Sequence, residues 1–87
     1  MISNSPHALA NQIARVEQLM SEGEIRINNQ RTRVVQLERN GMIAAQSRQL
    51  LAELQNTQML FITKRQRLRA EYASSLVGWN ARQLRAD

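Results

Sequence analysis

The sequence predicts an all-α fold, a two-helix antiparallel coiled-coil hairpin that dimerises into a four-helix bundle, and three observations predict it. Mostly apolar residues recur at alternating steps of four and three along Leu9, Ile13, Val16, Met20, Gly23, Ile27, Gln30, Val34 and Leu37. This interval keeps one face of a helix turned toward a partner helix. After Asn40-Gly41 the same steps return along Ala44, Ser47, Leu51, Leu54, Gln58, Phe61, Arg65, Leu68, Tyr72 and Ser75, so a second helix is expected to fold back along the first. The chain has only 87 residues, and two helices on one seam bury too little surface to offset the entropy of ordering them. A second copy is the expected remedy.

Helix one is expected over about residues 6–39. Ser5 offers its hydroxyl to free N–H groups at the helix start, and Pro6 suits the first helical position because its missing donor would have no partner there. At ~1.5 Å per residue the helix would run roughly 50 Å. Gly23 costs about 1 kcal/mol relative to Ala, and Ser21-Glu22-Gly23-Glu24 also has the form of a capping box. The heptad phase nevertheless passes through it without a slip, which favours one continuous helix.

The reversal is expected at about residues 40–42, where Asn40 and Gly41 can adopt the left-handed conformation that ends a helix. Helix two follows over about 43–77. Folding about this point sets Val34 against Ser47, Ile27 against Leu54, Met20 against Phe61 and Ile13 against Leu68. It also brings Gly23 near Gln58 and Phe61, so the absent side chain is read as room for the aromatic ring. The hairpin unit then covers residues 1–77, with 78–87 as a frayed or flexible tail. Leu76, Trp79 and Leu84 project past the bundle or cover its end. Leu19, Val35, Leu50, Leu60 and Ile62 lie off the seam, and Met59-Leu60-Phe61-Ile62 is apolar around nearly the whole circumference, which again calls for a covering partner.

Twelve basic side chains stand against seven acidic ones, for a net charge of +5. Along helix one Arg15, Arg26, Arg31 and Arg33 are balanced by Glu17, Glu22, Glu24 and Glu38, while the cations concentrate from Lys64 onward. Lys64, Arg65, Arg67 and Arg69 therefore form the candidate patch for an anionic partner. Two features argue for a solvated flank instead. Arg65 and Arg69 share one helix face and Lys64 and Arg67 another, and Glu17 is expected opposite Lys64 and Arg65. No aromatic residue interleaves the patch to stack on bases. Nucleic acid is thus the less favoured partner.

The chain has no cysteine, which removes disulfides and thiolate metal sites and fits a cytoplasmic setting. Met1 to Pro6 has neither the basic segment nor the apolar run of a secretory signal, and the longest apolar run is far shorter than the ~20 residues that cross a bilayer. A cytoplasmic location without a membrane partner is the expectation. His7 has no Cys, Asp or second His at ligand spacing, Glu22 and Glu24 point to different faces, and the glycines stand singly. No catalytic, cofactor-binding or metal-binding set can be assembled from these residues. A non-enzyme is expected.

Gly23-Glu24, Ile27, Gln30, Val34-Val35, Leu37-Glu38-Arg39, Gly41, Arg48, Leu50-Leu51, Arg65 and Arg67-Leu68 together resemble a group of small alphaproteobacterial helical-hairpin proteins of uncharacterised function. The likeness covers about residues 9–72. It implies the hairpin architecture and carries over no catalytic residue. In that group helix two tends to start at a Thr or Asp cap, where this chain has Met42-Ile43-Ala44.

The function expected from these readings is that of a non-enzymatic interaction or scaffold protein acting through coiled-coil self-association, with itself as first partner and room for another protein. Leu9, Ile13, Met20, Ile27, Leu51, Leu54, Phe61 and Leu68 carry the self-association seam. Polar seam residues Gln30, Ser47, Gln58 and Arg65 are expected to fix register at a cost in stability. The alternative is a small nucleic-acid-binding regulator using the Arg-rich part of helix two.

Overall fold

The computed structural model describes residues 5–85, the side chains of residues 79 and 83–85 excepted. Two helices, α1 (Pro6–Arg39) and α2 (Ala45–Arg85), pack against each other, and there is no strand among the described residues. The result is a rod of 72 × 18 × 16 Å.

Local chemistry sets the ends of α1. The Ser5 hydroxyl accepts a hydrogen bond from the Ala8 N–H at 3.2 Å, and the Ser5 carbonyl accepts from the Leu9 N–H at 2.9 Å, an N-cap with proline in the first turn. At the other end Gly41 takes φ 70°. Its N–H donates to the Glu38 carbonyl at 3.1 Å, and the Met42 N–H donates to the Leu37 carbonyl at 2.9 Å. These paired bonds are those of a Schellman motif, which satisfies carbonyls that the ending helix leaves free.

Met42, Ile43 and Ala44 are not helical, and α2 starts at Ala45, whereas the sequence pattern starts helix two at 43. Ala44 is the residue before the helix, and its carbonyl accepts from the Arg48 N–H at 2.8 Å. It brings no side-chain cap but lies buried at 3% exposure. The connection instead closes across its outside, where Arg48 and Glu38 meet at 2.5 Å.

The helical backbone of α2 continues to Arg85, beyond the end near Val77 read from the sequence. One glycine at position 78 costs only about 1 kcal/mol, and Ala81, Arg82, Gln83 and Leu84 are good helix formers. Leu76 lies beside Ser5, Pro6 and His7, so the last turns of α2 run past the start of α1. What the sequence suggests for the Trp79 and Leu84 side chains lies outside the described residues.

All of the heptad positions from Leu9 to Leu37 and from Ala44 to Ser75 are buried or half-buried. Leu9, Val16 and Leu68 form a buried cluster, with Ile13, Met20, Phe61 and Tyr72 packed around it. Ile27, Val34 and Ala44 continue the core toward the turn.

The seam is also held by two glutamines acting in opposite directions. Gln30 of α1 donates to the Ser47 carbonyl of α2 at 2.9 Å, while Gln58 of α2 donates to the Met20 carbonyl of α1 at 2.8 Å. Each bond reads the backbone of the facing helix, so together they resist sliding of one helix along the other. The space above Gly23 is filled by the Gln58 carboxamide, whose Cδ would lie 3.1 Å from a Cβ added at Gly23. An amide rather than the Phe61 ring therefore occupies the room that this glycine leaves.

Candidate functional site

The structure places Leu9, Ile13, Met20, Ile27, Leu51, Leu54, Phe61 and Leu68 on the contact between α1 and α2. Leu9, Ile27 and Leu68 are buried; the other five are half-buried. These side chains are already engaged within one chain. Contact with another molecule must use the partly exposed sides of this stripe and the flanks beside it.

The two flanks differ in charge. Glu17 meets Arg65 at 3.6 Å and Arg69 at 3.7 Å, and Glu38 meets Arg48. Ile62 lies on this flank too, lining a shallow cleft with Glu17, Ser21 and Glu24. On the opposite flank Arg26 and Arg33 border a groove floored by Leu50 and Leu54. Arg26 also stands 4.0 Å from Glu22.

The candidate basic patch is therefore divided. Arg65 and Arg69 converge on Glu17, and the second cation facing this glutamate is Arg69 rather than the expected Lys64. Lys64 and Arg67 are exposed, and neither has an ion pair among the described residues. The separation follows from helix geometry, because residues four apart share a face whereas Lys64 and Arg67 look the other way. Arg65 is only 29% exposed, its stem lies in the seam, and its buried Nε has no hydrogen-bond partner. That atom is a local cost of placing an arginine at a heptad core position.

Several large apolar side chains remain in solvent: Met59 is 59% exposed, Leu60 71% and Ile25 61%. Ile25 gives no signal in the sequence because a single apolar residue on the outer face does not disturb the period of the seam. Met42 and Ile43 stand out at the turn, Ile43 at 89% exposure. Reading Ile43 as the start of helix two hides the fact that both side chains are largely exposed in the hairpin. The two cross-helix glutamine bonds are also invisible as specific contacts in the sequence. Polar residues at heptad core positions are their only signal.

Comparison of the chain with family models, with characterised proteins and with solved structures gave no match. No helix among the described residues is long and apolar enough to cross a membrane.

Proposed function

We propose that this chain is a non-enzymatic helical interaction protein that works by self-association, two hairpins packing into a four-helix bundle. The observation that supports this most is its surface. The hairpin exposes 6776 Å² for a mass of 10.0 kDa, while a compact monomer of that mass exposes about 5,200 Å². The excess, about 1,500 Å², exceeds the ~800 Å² that each partner contributes to an interface of ordinary size. Met59, 59% exposed, and half-buried Ile62 are apolar side chains that a second hairpin would finish covering. Sedimentation equilibrium from about 1 to 100 μM, a range that brackets affinities of ordinary interfaces, is expected to show a dimer whose melting midpoint rises with concentration. A compact monomer that melts cooperatively at every concentration would overturn the proposal.

Binding of nucleic acid is the second reading, and it draws on one feature. Arg33, Lys64 and Arg67 are exposed, and none has an ion pair among the described residues. Phosphate contacts give an affinity that falls steeply with salt. A salt titration with RNA and with duplex DNA separates the readings: a steep salt slope abolished by Lys64→Glu and Arg67→Glu supports this one, and absence of binding at low salt removes it.

A further inference from the structure

We propose that the surface joining two copies is the stripe of α2 that runs through Met59 and Ile62, with α2 of one copy packed antiparallel on α2 of the other. This rests on the self-association reading and names the face that carries it. Ile62 lies beside Glu17, Ser21 and Glu24, and Met59, three residues earlier, shares that side of the helix.

Following steps of three and four from Met59 toward the turn gives Gln55, Ala52, Arg48 and Ala45; following them from Ile62 gives Gln66, Arg69, Ala73 and Leu76. The stripe contains no acidic residue. Each of its two cations has a carboxylate within the chain, Arg48 beside Glu38 at 2.5 Å and Arg69 beside Glu17 at 3.7 Å, the latter shared with Arg65. A like-charged copy can therefore approach it without stacking unpaired cations. On the opposite side of α2, Leu60 is followed by Lys64, Arg67 and Glu71, charges that a two-fold contact would have to desolvate.

Under a two-fold axis between Met59 and Ile62 the stripe is complementary to itself. Met59 of one copy faces Ile62 of the other, and Gln55 faces Gln66, two amides able to exchange hydrogen bonds. Farther out every long side chain meets an alanine: Arg69 against Ala52, Arg48 against Ala73, and Leu76 against Ala45. Long against small at facing positions lets two helix surfaces interdigitate at close range. Sliding one copy by a heptad destroys the match, setting Met59 against Arg69 in one direction and against Gln55 in the other. A closed isologous dimer follows from such a surface.

The native chain has no cysteine, so engineered thiols report unambiguously. An equimolar mixture of Met59→Cys and Ile62→Cys chains, whose thiols face each other across the axis, is expected to give a covalent dimer on mild oxidation, and Leu60→Cys, more exposed but turned to the other flank, is not. Met59→Glu is expected to raise the dimer dissociation constant at least about 100-fold, because it places a charge against Ile62 at the axis, with the helical circular dichroism of the hairpin retained. Leu60→Glu is expected to change the constant less than about 3-fold, as an exposed substitution does. If the parent chain is a dimer but Leu60→Glu dissociates it, or the Leu60→Cys variant crosslinks where the mixture of Met59→Cys and Ile62→Cys chains does not, this surface is wrong and self-association stands. If the parent chain is a monomer throughout, both fall.

Discussion

The carboxamide of Gln58 occupies the place where a side chain at position 23 would begin, and the bareness of Gly23 is what lets it reach the Met20 carbonyl at 2.8 Å. A residue that weakens α1 by itself thus admits a bond that fixes its register against α2.

The pair is expected to be coupled. Gly23→Ala gains about 1 kcal/mol of helix propensity but displaces the Gln58 amide and loses a part-buried hydrogen bond worth about 1 kcal/mol, so alone it leaves stability nearly unchanged. In a Gln58→Ala background nothing opposes the new methyl group, and Gly23→Ala is expected to stabilise by about 1 kcal/mol. A double-mutant cycle by urea denaturation measures the difference. Additive effects of the two substitutions would show that the amide and the glycine are independent.

The other glycines are expected to respond with opposite signs. Gly41 holds φ 70° in the turn, a conformation that a Cβ penalises, and Gly41→Ala is expected to cost about 1–2 kcal/mol. A Cβ at Gly78 would meet nothing within 4 Å, and helical backbone runs through it, so Gly78→Ala is expected to raise helical content and stability by up to about 1 kcal/mol. Circular dichroism melts of the two variants check both signs.

Much of this fold is legible in the sequence because the heptad period is a long-range signal repeated many times. Each of Leu9 to Leu37 and Ala44 to Ser75 contributes to it, so a polar exception such as Gln30 or Arg65 does not erase the stripe. The N-cap is legible too, since Ser5-Pro6 has few other uses. Features set by single interactions are not. Whether Gln58 or Phe61 fills the space over Gly23 depends on rotamers, and whether Lys64 or Arg69 reaches Glu17 depends on a fraction of a helical turn. The start of α2 escapes sequence reading because Ile43 fits an apolar helix as well as it fits a turn, and no capping residue marks the boundary.

Arg65 presents a test of what polar seam residues cost. Its Nε is buried without a partner, an arrangement worth about 1–3 kcal/mol of lost solvation, and Glu17 retains Arg69 if Arg65 is removed. Arg65→Leu is therefore expected to stabilise the hairpin by about 1–2 kcal/mol, through apolar burial in the seam and loss of the orphaned donor. Thermal and urea melts measure it. A destabilised variant would mean that the Arg65 pairing with Glu17 outweighs both effects.

Two aspartate substitutions separate what the fold needs from what it merely displays. Phe61 packs against the buried cluster of Leu9, Val16 and Leu68, and Phe61→Asp removes that packing and puts a carboxylate in its place. The loss is expected to exceed about 3 kcal/mol, enough to unfold a small hairpin and, with it, any dimer. Ile43 is 89% exposed at the turn. There Ile43→Asp removes no contact in the hairpin and sets a negative charge just before the N-terminus of α2, where the helix dipole favours it by a few tenths of a kcal/mol. The expected pattern is a lost far-ultraviolet helical signal for Phe61→Asp and an unchanged or slightly higher melting midpoint for Ile43→Asp. A large loss of stability at Ile43 would mean that this apolar tip is covered in solution, and that the turn, rather than only the flank of α2, meets another molecule.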